Sequence, residues 1–196
     1  GTGAAPLEFT DHVGAPLQEG LLLVHNTLVG LGLRQRVKLG CAGKVISAFD
    51  IARMMALGAD WCNSARGFMF ALGCLQAQTC HTGHCPTGVT TQDPHRARAL
   101  VVPDKAERVF RFHQNTLAAL KELVQAAGLT HPREISANHI VRRTAEQEVR
   151  LLANLLPFLK PGSLLAAQRG EADWPHNVYR LYWPGASSSS WRLQQA

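Results

Sequence analysis

Two short apolar segments, each followed by a turn of small residues and then by a helical pattern, limit what this chain can fold into. The first covers residues 37–41 and the second residues 59–62. Strands that alternate with helices across short connections pair in parallel. Because two parallel strands do not make a stable sheet by themselves, the pattern predicts one part of a larger α/β sheet whose other strands are supplied elsewhere.

Helical patterns surround these two strands. Apolar residues recur at spacings of three and four over residues 16–33, and a third apolar helix is expected over residues 68–76. Between them, Ser47 and Asp50 have the spacing of a capping box, with Ser47 as N-cap of a helix that ends at Gly58. The order is therefore helix, strand, helix, strand, helix.

The second half of the chain reads as mainly helical. A long amphipathic helix is predicted over residues 105–127, ending at Gly128, and a further helix is predicted to open at Thr144. From residue 157 onward Pro, Gly and Trp become frequent, which predicts an irregular tail held down by aromatic residues. The serine run at residues 187–190 predicts a flexible segment in that tail.

Charge and hydropathy exclude some partners. The net charge is +6 and the pI is about 9.4, but the Lys and Arg residues are scattered and form no stripe interleaved with aromatics, so we expect no nucleic-acid partner. An anionic ligand or an acidic partner makes better use of this charge. The uncharged stretches 20–33 and 67–80 are too short to cross a bilayer. No signal peptide is visible, and we expect a cytoplasmic protein without membrane contact.

The two strand-to-helix turns are candidates for an anion site. Backbone N–H groups and the positive dipole end at a helix start favour an anion, and Lys44 and Arg66 add charge. Small residues, Gly43 in the first turn and Ser64 and Ala65 in the second, would allow close approach. The alternative is that small residues at these turns serve only tight packing.

Three of the five cysteines lie within 12 residues, as Cys74-x5-Cys80-x4-Cys85. Thiolates on loops shaped by glycine and proline hold iron–sulfur clusters, and Pro86 directly follows the last cysteine. A group of three suits a three-iron cluster better than a four-iron cluster. Two alternatives stay open: a zinc site completed by His81 or His84, and ordinary reduced thiols.

The other two cysteines, Cys41 and Cys62, lie in the predicted strands. Buried packing of a small side chain is the default interpretation of both. His25 lies in the middle of the first helix beside its apolar face, and we interpret it as a hydrogen-bonded core residue.

Several of these segments together resemble the FMN domain of the glutamate synthase family. The resemblance rests on Gly1-Thr-Gly-Ala-Ala-Pro6, on His25-Asn-Thr-Leu28 with Gly32-Leu-Arg34, and on Ala71-Leu-Gly-Cys74 running into CHTGHCPTGVTTQDP at residues 80–94. It covers about residues 1–95. The cysteine spacing followed by Cys-Pro-x-Gly-Val-x-Thr-Gln is its most specific part.

The resemblance implies the carboxy-terminal portion of a (β/α)8 TIM barrel, with the two strands as the seventh and eighth, followed by a mainly helical tail. Together with the patterns in the second half of the chain, it divides the sequence into barrel units (1–73), a cysteine segment (74–95), a helical extension (96–160) and an irregular tail (161–196). It also implies two cofactors, FMN and a 3Fe–4S cluster. The implied ligands of the cluster are Cys74, Cys80 and Cys85, and the implied residues near FMN are Gly1, Thr2, Gly3, Gly43, Lys44, Ser64, Ala65 and Arg66.

The implied reaction is the reduction of an imine, formed from a 2-oxo acid and ammonia or an amine, to an amino acid such as glutamate. Electrons would come from ferredoxin or from a pyridine-nucleotide-linked subunit. No catalytic acid or base is assigned, because such residues should lie on the strands of an amino-terminal barrel half that this chain needs. The family usually has an acidic residue and paired glycines at the seventh-strand turn, where Cys41-Ala42-Gly43-Lys44 stands here.

Two alternatives to this function stay open at the level of the sequence. One is an N-methylglutamate synthase-type subunit that works on methylamine. The other is a non-catalytic, metal-bound scaffold or electron-relay module.

Overall fold

The structure is a computed structural model that describes residues 5–190. Within this range the chain is mixed α/β, with nine helices and four short strands. In chain order the elements are α1 (Leu7–His12), α2 (Leu17–Gly30), β1 (Gly40–Ala42), α3 (Ala48–Ala56), β2 (Trp61–Asn63), α4 (Arg66–Leu72), α5 (Pro94–Ala97), α6 (Val102–Ala126), β3 (Val141–Ala145), β4 (Glu148–Leu151), α7 (Leu152–Leu155), α8 (Ser163–Gln168) and α9 (Asn177–Tyr182).

Strands β1 and β2 pair in parallel, as the alternation of strands and helices predicts. The register places Cys41 opposite Cys62 and Ala42 opposite Asn63. Each strand is only three residues long, and β1 begins three residues later than predicted. The preceding segment instead bonds to Asp60, whose carboxylate accepts the Leu39 N–H at 2.7 Å. Because the two strands are parallel, their carboxyl ends lie at the same edge of the sheet.

A polar clamp holds the opposite, amino end of the two strands. The Arg34 guanidinium donates to the Asp60 carboxylate at 2.9 Å, to the Gly58 carbonyl at 2.7 Å and to His25 Nδ1 at 3.1 Å. Burial and the nearby Arg34 charge lower the pKa of His25 below its usual value. The predicted hydrogen bond of His25 is confirmed, but its side chain is half-buried and lies outside the core.

The predicted capping box is present at the start of α3. Ser47 Oγ accepts the Asp50 N–H at 3.3 Å, and the Asp50 carboxylate accepts the Ser47 N–H at 3.0 Å and the Ile46 N–H at 3.2 Å. The segment from Val45 to Leu57 then supplies most of the fully buried side chains of the core, including Met54. Helix α3 is thereby fixed at both its start and its inner face.

The long helix α6 spans 25 residues and packs across α3 and α4. It begins three residues before the predicted start because Pro103 is tolerated in the first turn, where its missing N–H costs no hydrogen bond. Leu120 and Val124 enter the core. Phe112 meets Phe68 of α4 edge to face at 5.4 Å. Helix α6 therefore covers the outer side of both helices that follow the strands.

The prediction of a helix that begins at Thr144 is wrong. The chain forms an antiparallel hairpin, β3 and β4, in which Val141 pairs with Leu151 and Arg143 with Val149. The Thr144 hydroxyl bonds the Glu148 carboxylate across the turn at 2.7 Å. β-Branched residues on both arms favour extended backbone over the cap-like spacing that suggested a helix. The extension over 96–160 is therefore not purely helical.

The tail predicted to be irregular contains the two short helices α8 and α9. Tyr179 is 2% exposed, and its hydroxyl donates to the Leu23 carbonyl at 3.2 Å and lies 3.1 Å from Thr27 Oγ1. Attachment of the tail by an aromatic side chain is thus confirmed at this residue. The serine run closes into a turn in which Ser187 and Ser190 pair.

Two separate two-stranded sheets account for the strands of the described range. No helix between residues 5 and 190 is long and apolar enough to cross a bilayer.

Replacing Asp50 with Asn should destabilise the protein in a pH-dependent way. Although partial burial raises the pKa of Asp50, hydrogen bonds from Ser47 and Ile46 outweigh it and hold this pKa below its usual 3.8. A depressed folded-state pKa stabilises the fold above that usual value, and the stabilisation is lost as the pH falls through the folded-state pKa. We expect Asp50→Asn to lower the free energy of unfolding by about 1 kcal/mol at pH 7.

Urea unfolding of wild type and variant from pH 7 to pH 3 measures this difference. The matched control is Asp173→Asn, the same change at an exposed position outside the helices, which should leave the free energy of unfolding within a few tenths of a kcal/mol. A deficit of Asp50→Asn that stays constant down to pH 3 would contradict the assignment.

Candidate functional site

The structure brings the three grouped cysteines together in one loop. Cys74 follows α4 directly after Gly73, which ends the helix with φ +103°. Cys80 begins a single 3-10 turn (Cys80–Thr82), and Cys85 lies three residues after the end of this turn. All three cysteines line one cavity, together with Met69, Leu75, Ala77, Gln78, Thr79, Pro86, Thr87, Val89 and Thr90.

Cys85 is the most enclosed of the three, with 8% of its surface exposed. Its Sγ lies 3.4 Å from the Thr87 hydroxyl. Burial raises the pKa of the Cys85 thiol, but the Thr87 hydroxyl and the backbone N–H groups of Thr87 and Thr90 outweigh burial and lower it to about 6. Donors aimed at a sulfur stabilise its thiolate, which is the form that binds metal.

The donor set around this cavity fits an iron–sulfur cluster. Three cysteines line it, and the Cys74 sulfur accepts the Gln76 N–H at 3.4 Å. The Thr90 hydroxyl is buried and makes no well-formed hydrogen bond among residues 5–190, although it lies near enough to the Cys85 sulfur to help lower the pKa of that thiol. An orphaned buried hydroxyl is costly, and an inorganic sulfide or a thiolate would satisfy it. The cavity volume is about 10 Å³, so the loop must open to admit a cluster.

The described residues hold no preformed zinc site. His81 and His84 are exposed, and neither lines the cavity. Within the described part of the chain, no three His, Cys, Asp or Glu side chains are grouped to hold a single metal ion. A three-iron cluster does not require its three ligands to surround one metal ion, because each thiolate binds its own iron atom.

Backbone conformation explains why this loop needs its glycines. Gly88 has φ +76°, and a Cβ placed there would lie 2.4 Å from the Arg96 carbonyl oxygen of α5. Gln76 and Gln78 also have positive φ, at 56° and 60°. Non-glycine residues in this region store strain, which collects at functional sites. The Cys-Pro-x-Gly motif thus packs the cysteine loop directly onto α5.

The two strand-to-helix turns also lie side by side. The Ser64 hydroxyl donates to the Val45 carbonyl at 2.6 Å and so joins the second turn to the first. Gly43 and Lys44 both have positive φ, at 151° and 54°. Lys44 therefore has a left-handed backbone conformation, which is uncommon for a residue other than glycine. Ala65 and Arg66 form the start of α4.

The turn before α3 already holds a carboxylate of the chain itself. The Asp50 carboxylate already accepts the Ile46 and Ser47 N–H groups. A cavity of about 390 Å³ nevertheless lies beside Gly43 and Lys44 and is also lined by Arg53 and Arg142. Glu19 and Asp50 line it as well, whereas the second-turn residues 64–66 do not. Neither arginine was singled out from the sequence, since Arg53 reads as an ordinary helix residue and Arg142 comes from the hairpin that was predicted to be helical.

Gly1, Thr2 and Gly3, which the resemblance places near the flavin, lie outside the described residues. The contributions of Thr87 and Thr90 to the cysteine cavity were also missed. Their only signal in the sequence is their position two and five residues after Cys85.

Replacing Gly88 with Ala should destabilise the cysteine loop far more than the same change at Gly83. Both glycines have φ +76°, so both substitutions carry the left-handed penalty of about 1–2 kcal/mol. Only Gly88 has backbone in the way, because nothing lies within 4 Å of a Cβ at Gly83. We expect Gly88→Ala to cost about 2 kcal/mol more in free energy of unfolding, measured by urea titration. Equal losses in the two variants would contradict the packing described.

Comparison with known proteins agrees with these features. A family profile described as a conserved region in glutamate synthase matches residues 1–130. The chain is 40% identical over 156 residues to the glutamate synthase large subunit-like protein YerD of Bacillus subtilis, covering 80% of this chain and 30% of that protein.

Two further relatives extend the comparison. The chain is 35% identical over 138 residues to the archaeal glutamate synthase [NADPH] of Methanocaldococcus jannaschii, covering 70% of this chain and 27% of that protein. It is 35% identical over 146 residues to a ferredoxin-dependent glutamate synthase of Arabidopsis thaliana, covering 69% of this chain and 9% of that protein. The chain thus spans less than a third of the length of these relatives, and it belongs to the glutamate synthase family.

Proposed function

We propose that the chain is the carboxy-terminal part of the FMN- and cluster-binding region of a glutamate synthase-type oxidoreductase. The observation that carries the proposal is that Cys74, Cys80 and Cys85 line one cavity immediately after the helix that starts at the second strand turn. In this proposal residues 1–73 are barrel units, 74–95 the cluster segment, 96–160 an extension and 161–196 a tail.

The parallel pair β1 and β2 supports the barrel assignment. The pair has no further strand on either side within residues 5–190, and two parallel strands alone are too few for a stable sheet. Each strand is followed by a helix, α3 and α4, as in a (β/α)8 barrel, where the turns after the last two strands commonly bind phosphate. We therefore place strands from the amino-terminal barrel half beside this pair.

In this proposal FMN binds at the two joined turns. Gly43, Lys44, Ser64, Ala65 and Arg66 would hold the FMN phosphate, and Gly1, Thr2 and Gly3 would lie near the ring. Lys44 and Arg66 contribute positive charge, and Ser64 holds the turns together through Val45. Because the Asp50 carboxylate takes the Ile46 and Ser47 N–H groups, these two amides are not open to the phosphate, which would use the first turn ahead of Ile46 and the start of α4.

The cluster end uses the three thiols as ligands of a 3Fe–4S cluster. Cys85 is held as a thiolate near neutral pH by its Thr87 and Thr90 donors. The Thr90 hydroxyl lies ready to donate to a sulfur. Helix α4 has seven residues and so separates the two ends by about 10 Å. When bound, the cluster supplies one-electron transfer and FMN supplies hydride transfer to a substrate imine.

The proposed substrates are a 2-oxo acid and ammonia or an amine, with glutamate as product. The names of the relatives include ferredoxin-dependent and NADPH-dependent enzymes, so the electron donor is a ferredoxin or a pyridine-nucleotide-linked subunit. The net charge of +6 suits an acidic donor protein. A cytoplasmic location remains part of the proposal.

Iron and sulfide analysis of the intact gene product tests the cluster assignment. We expect about three irons per chain in the wild type and almost none after Cys85→Ser, because a buried ligand is lost. The matched control is Cys62→Ser, which removes a thiol from β2 without touching the cavity and should keep the iron. Full iron content in Cys85→Ser, or zinc in place of iron, would refute the assignment.

Flavin titration tests the phosphate assignment. Lys44→Met removes the charge beside Gly43 while keeping a long side chain, and we expect the Kd for FMN to rise about fivefold, since an exposed charge contributes about 1 kcal/mol. Quenching of FMN fluorescence by the intact gene product measures it. Lys160→Met, the same change at an exposed residue outside the turns, should leave the Kd unchanged. An equal Kd for both variants would remove Lys44 from the site.

A further inference from the structure

Two cysteines outside the cluster loop face each other across the parallel strands. Cys41 of β1 and Cys62 of β2 are direct partners in the strand register. Their sulfur atoms lie 3.5 Å apart, and both are free thiols. The default interpretation from the sequence, separate packing of two small side chains, does not anticipate that the two sulfurs meet.

The strand geometry allows a covalent bond between them. Neighbouring strands lie about 4.7–4.9 Å apart, which falls within the Cα separation of about 4.4–6.8 Å that disulfides span. A disulfide holds its sulfurs about 2.05 Å apart, so the Cys41 and Cys62 sulfurs have about 1.5 Å left to close. Side-chain rotation can supply this movement without a change of register.

We propose that Cys41 and Cys62 are a redox-reactive pair that forms a disulfide between β1 and β2 on exposure to a hydroperoxide. The pair is independent of the cluster ligands, because neither cysteine lines their cavity. The inference does not depend on the proposed flavin chemistry.

A groove gives the oxidant access to one of the two sulfurs. A cavity of about 360 Å³ between β2, α4 and α6 is lined by Cys62, together with Trp61, Phe68 and Phe112. Trp61 is 49% exposed, so the groove opens to solvent at that end. Cys41 is 5% exposed and does not line the groove. A small peroxide therefore meets Cys62 first.

The reaction is balanced with peroxide as the two-electron oxidant. The Cys62 sulfur attacks the peroxide oxygen, the O–O bond breaks, and Cys62 becomes a sulfenic acid with release of water. The Cys41 sulfur then attacks the Cys62 sulfur, the S–S bond forms, and the hydroxyl leaves as a second water with the Cys41 proton. The hydrogen-bonding contact with Cys62 lowers the pKa of Cys41 and so favours it as the attacking thiolate, while burial opposes this effect. The same contact and burial raise the pKa of Cys62, so the reaction of Cys62 with peroxide is the slow step.

The bond would join the strands directly beneath both turns. Cys41 lies two residues before Gly43, and Cys62 lies two residues before Ser64. Exposure to peroxide would therefore change the spacing between the carboxyl ends of β1 and β2.

Peptide mapping of the full chain under non-reducing conditions tests the proposal. Trypsin releases Cys41 in residues 39–44 and Cys62 in residues 54–66, whereas the three clustered cysteines all fall in residues 67–96. After treatment of the wild type with hydrogen peroxide we expect a linked pair of peptides 39–44 and 54–66 that dithiothreitol separates. Free Cys41 and Cys62 should be lost in equal amounts.

Single variants separate the two steps. In Cys41→Ala, Cys62 should accumulate as a sulfenic acid that dimedone traps, because the attacking sulfur is gone. In Cys62→Ala, the buried Cys41 should remain reduced. The proposal is overturned if peroxide oxidises the wild type only within residues 67–96, if Cys62 is oxidised without a linked peptide, or if Cys41 oxidises as fast in Cys62→Ala as in the wild type.

Discussion

The parallel pairing of β1 with β2 is the constraint on which both candidate sites depend. With Cys41 opposite Cys62, the strands end level with each other, and the two turns that follow meet at one edge. The Ser64 hydroxyl then reaches the Val45 carbonyl and fixes their spacing. At the amino end of the strands, an ion pair joins Arg34, which follows α2, to Asp60, which precedes β2. The two strands are therefore held in place at both ends.

Helix α4 connects the two turns to the cysteine loop and fixes their relative positions. Gly67 allows the helix to lie against α6, since a Cβ there would meet Ser64 Oγ at 2.8 Å and Phe112 at 3.0 Å. Gly73 ends the helix and delivers Cys74 to the cavity that Cys80 and Cys85 also line. The proposed flavin and cluster sites are therefore parts of one continuous unit, and a shift of α4 would disturb both.

Local signals were sufficient wherever neighbouring residues decide the structure. The capping box at Ser47 and Asp50 and the amphipathic pattern of α6 were both predictable, because caps and helix faces depend on residues within a few positions. The hairpin was missed for the opposite reason. Thr144 has a cap-like spacing to Gln147, but its hydroxyl binds Glu148 and the strands gain their stability from each other.

The convergence of the three cysteines was predictable from their spacing and from the family resemblance, but the surroundings were not. Thr90 lines the cavity two residues after Gly88, where the loop packs onto α5. The contact of Cys41 with Cys62 depends on strand register, which the sequence of two three-residue strands does not determine. The Asp50 carboxylate takes the Ser47 N–H, as the predicted capping box implies, and also the Ile46 N–H, which the capping-box spacing does not predict.

The central claim is that the sulfurs of Cys74, Cys80 and Cys85 hold one inorganic cluster beside the two joined turns. Anomalous X-ray diffraction at the iron absorption edge, from crystals of the intact gene product grown without oxygen, tests it most directly. The account predicts a compact iron signal enclosed by those three sulfurs, next to Thr90 and one short helix from Ser64. Crystals that diffract well and show no iron there, or iron bound by other residues, would contradict it.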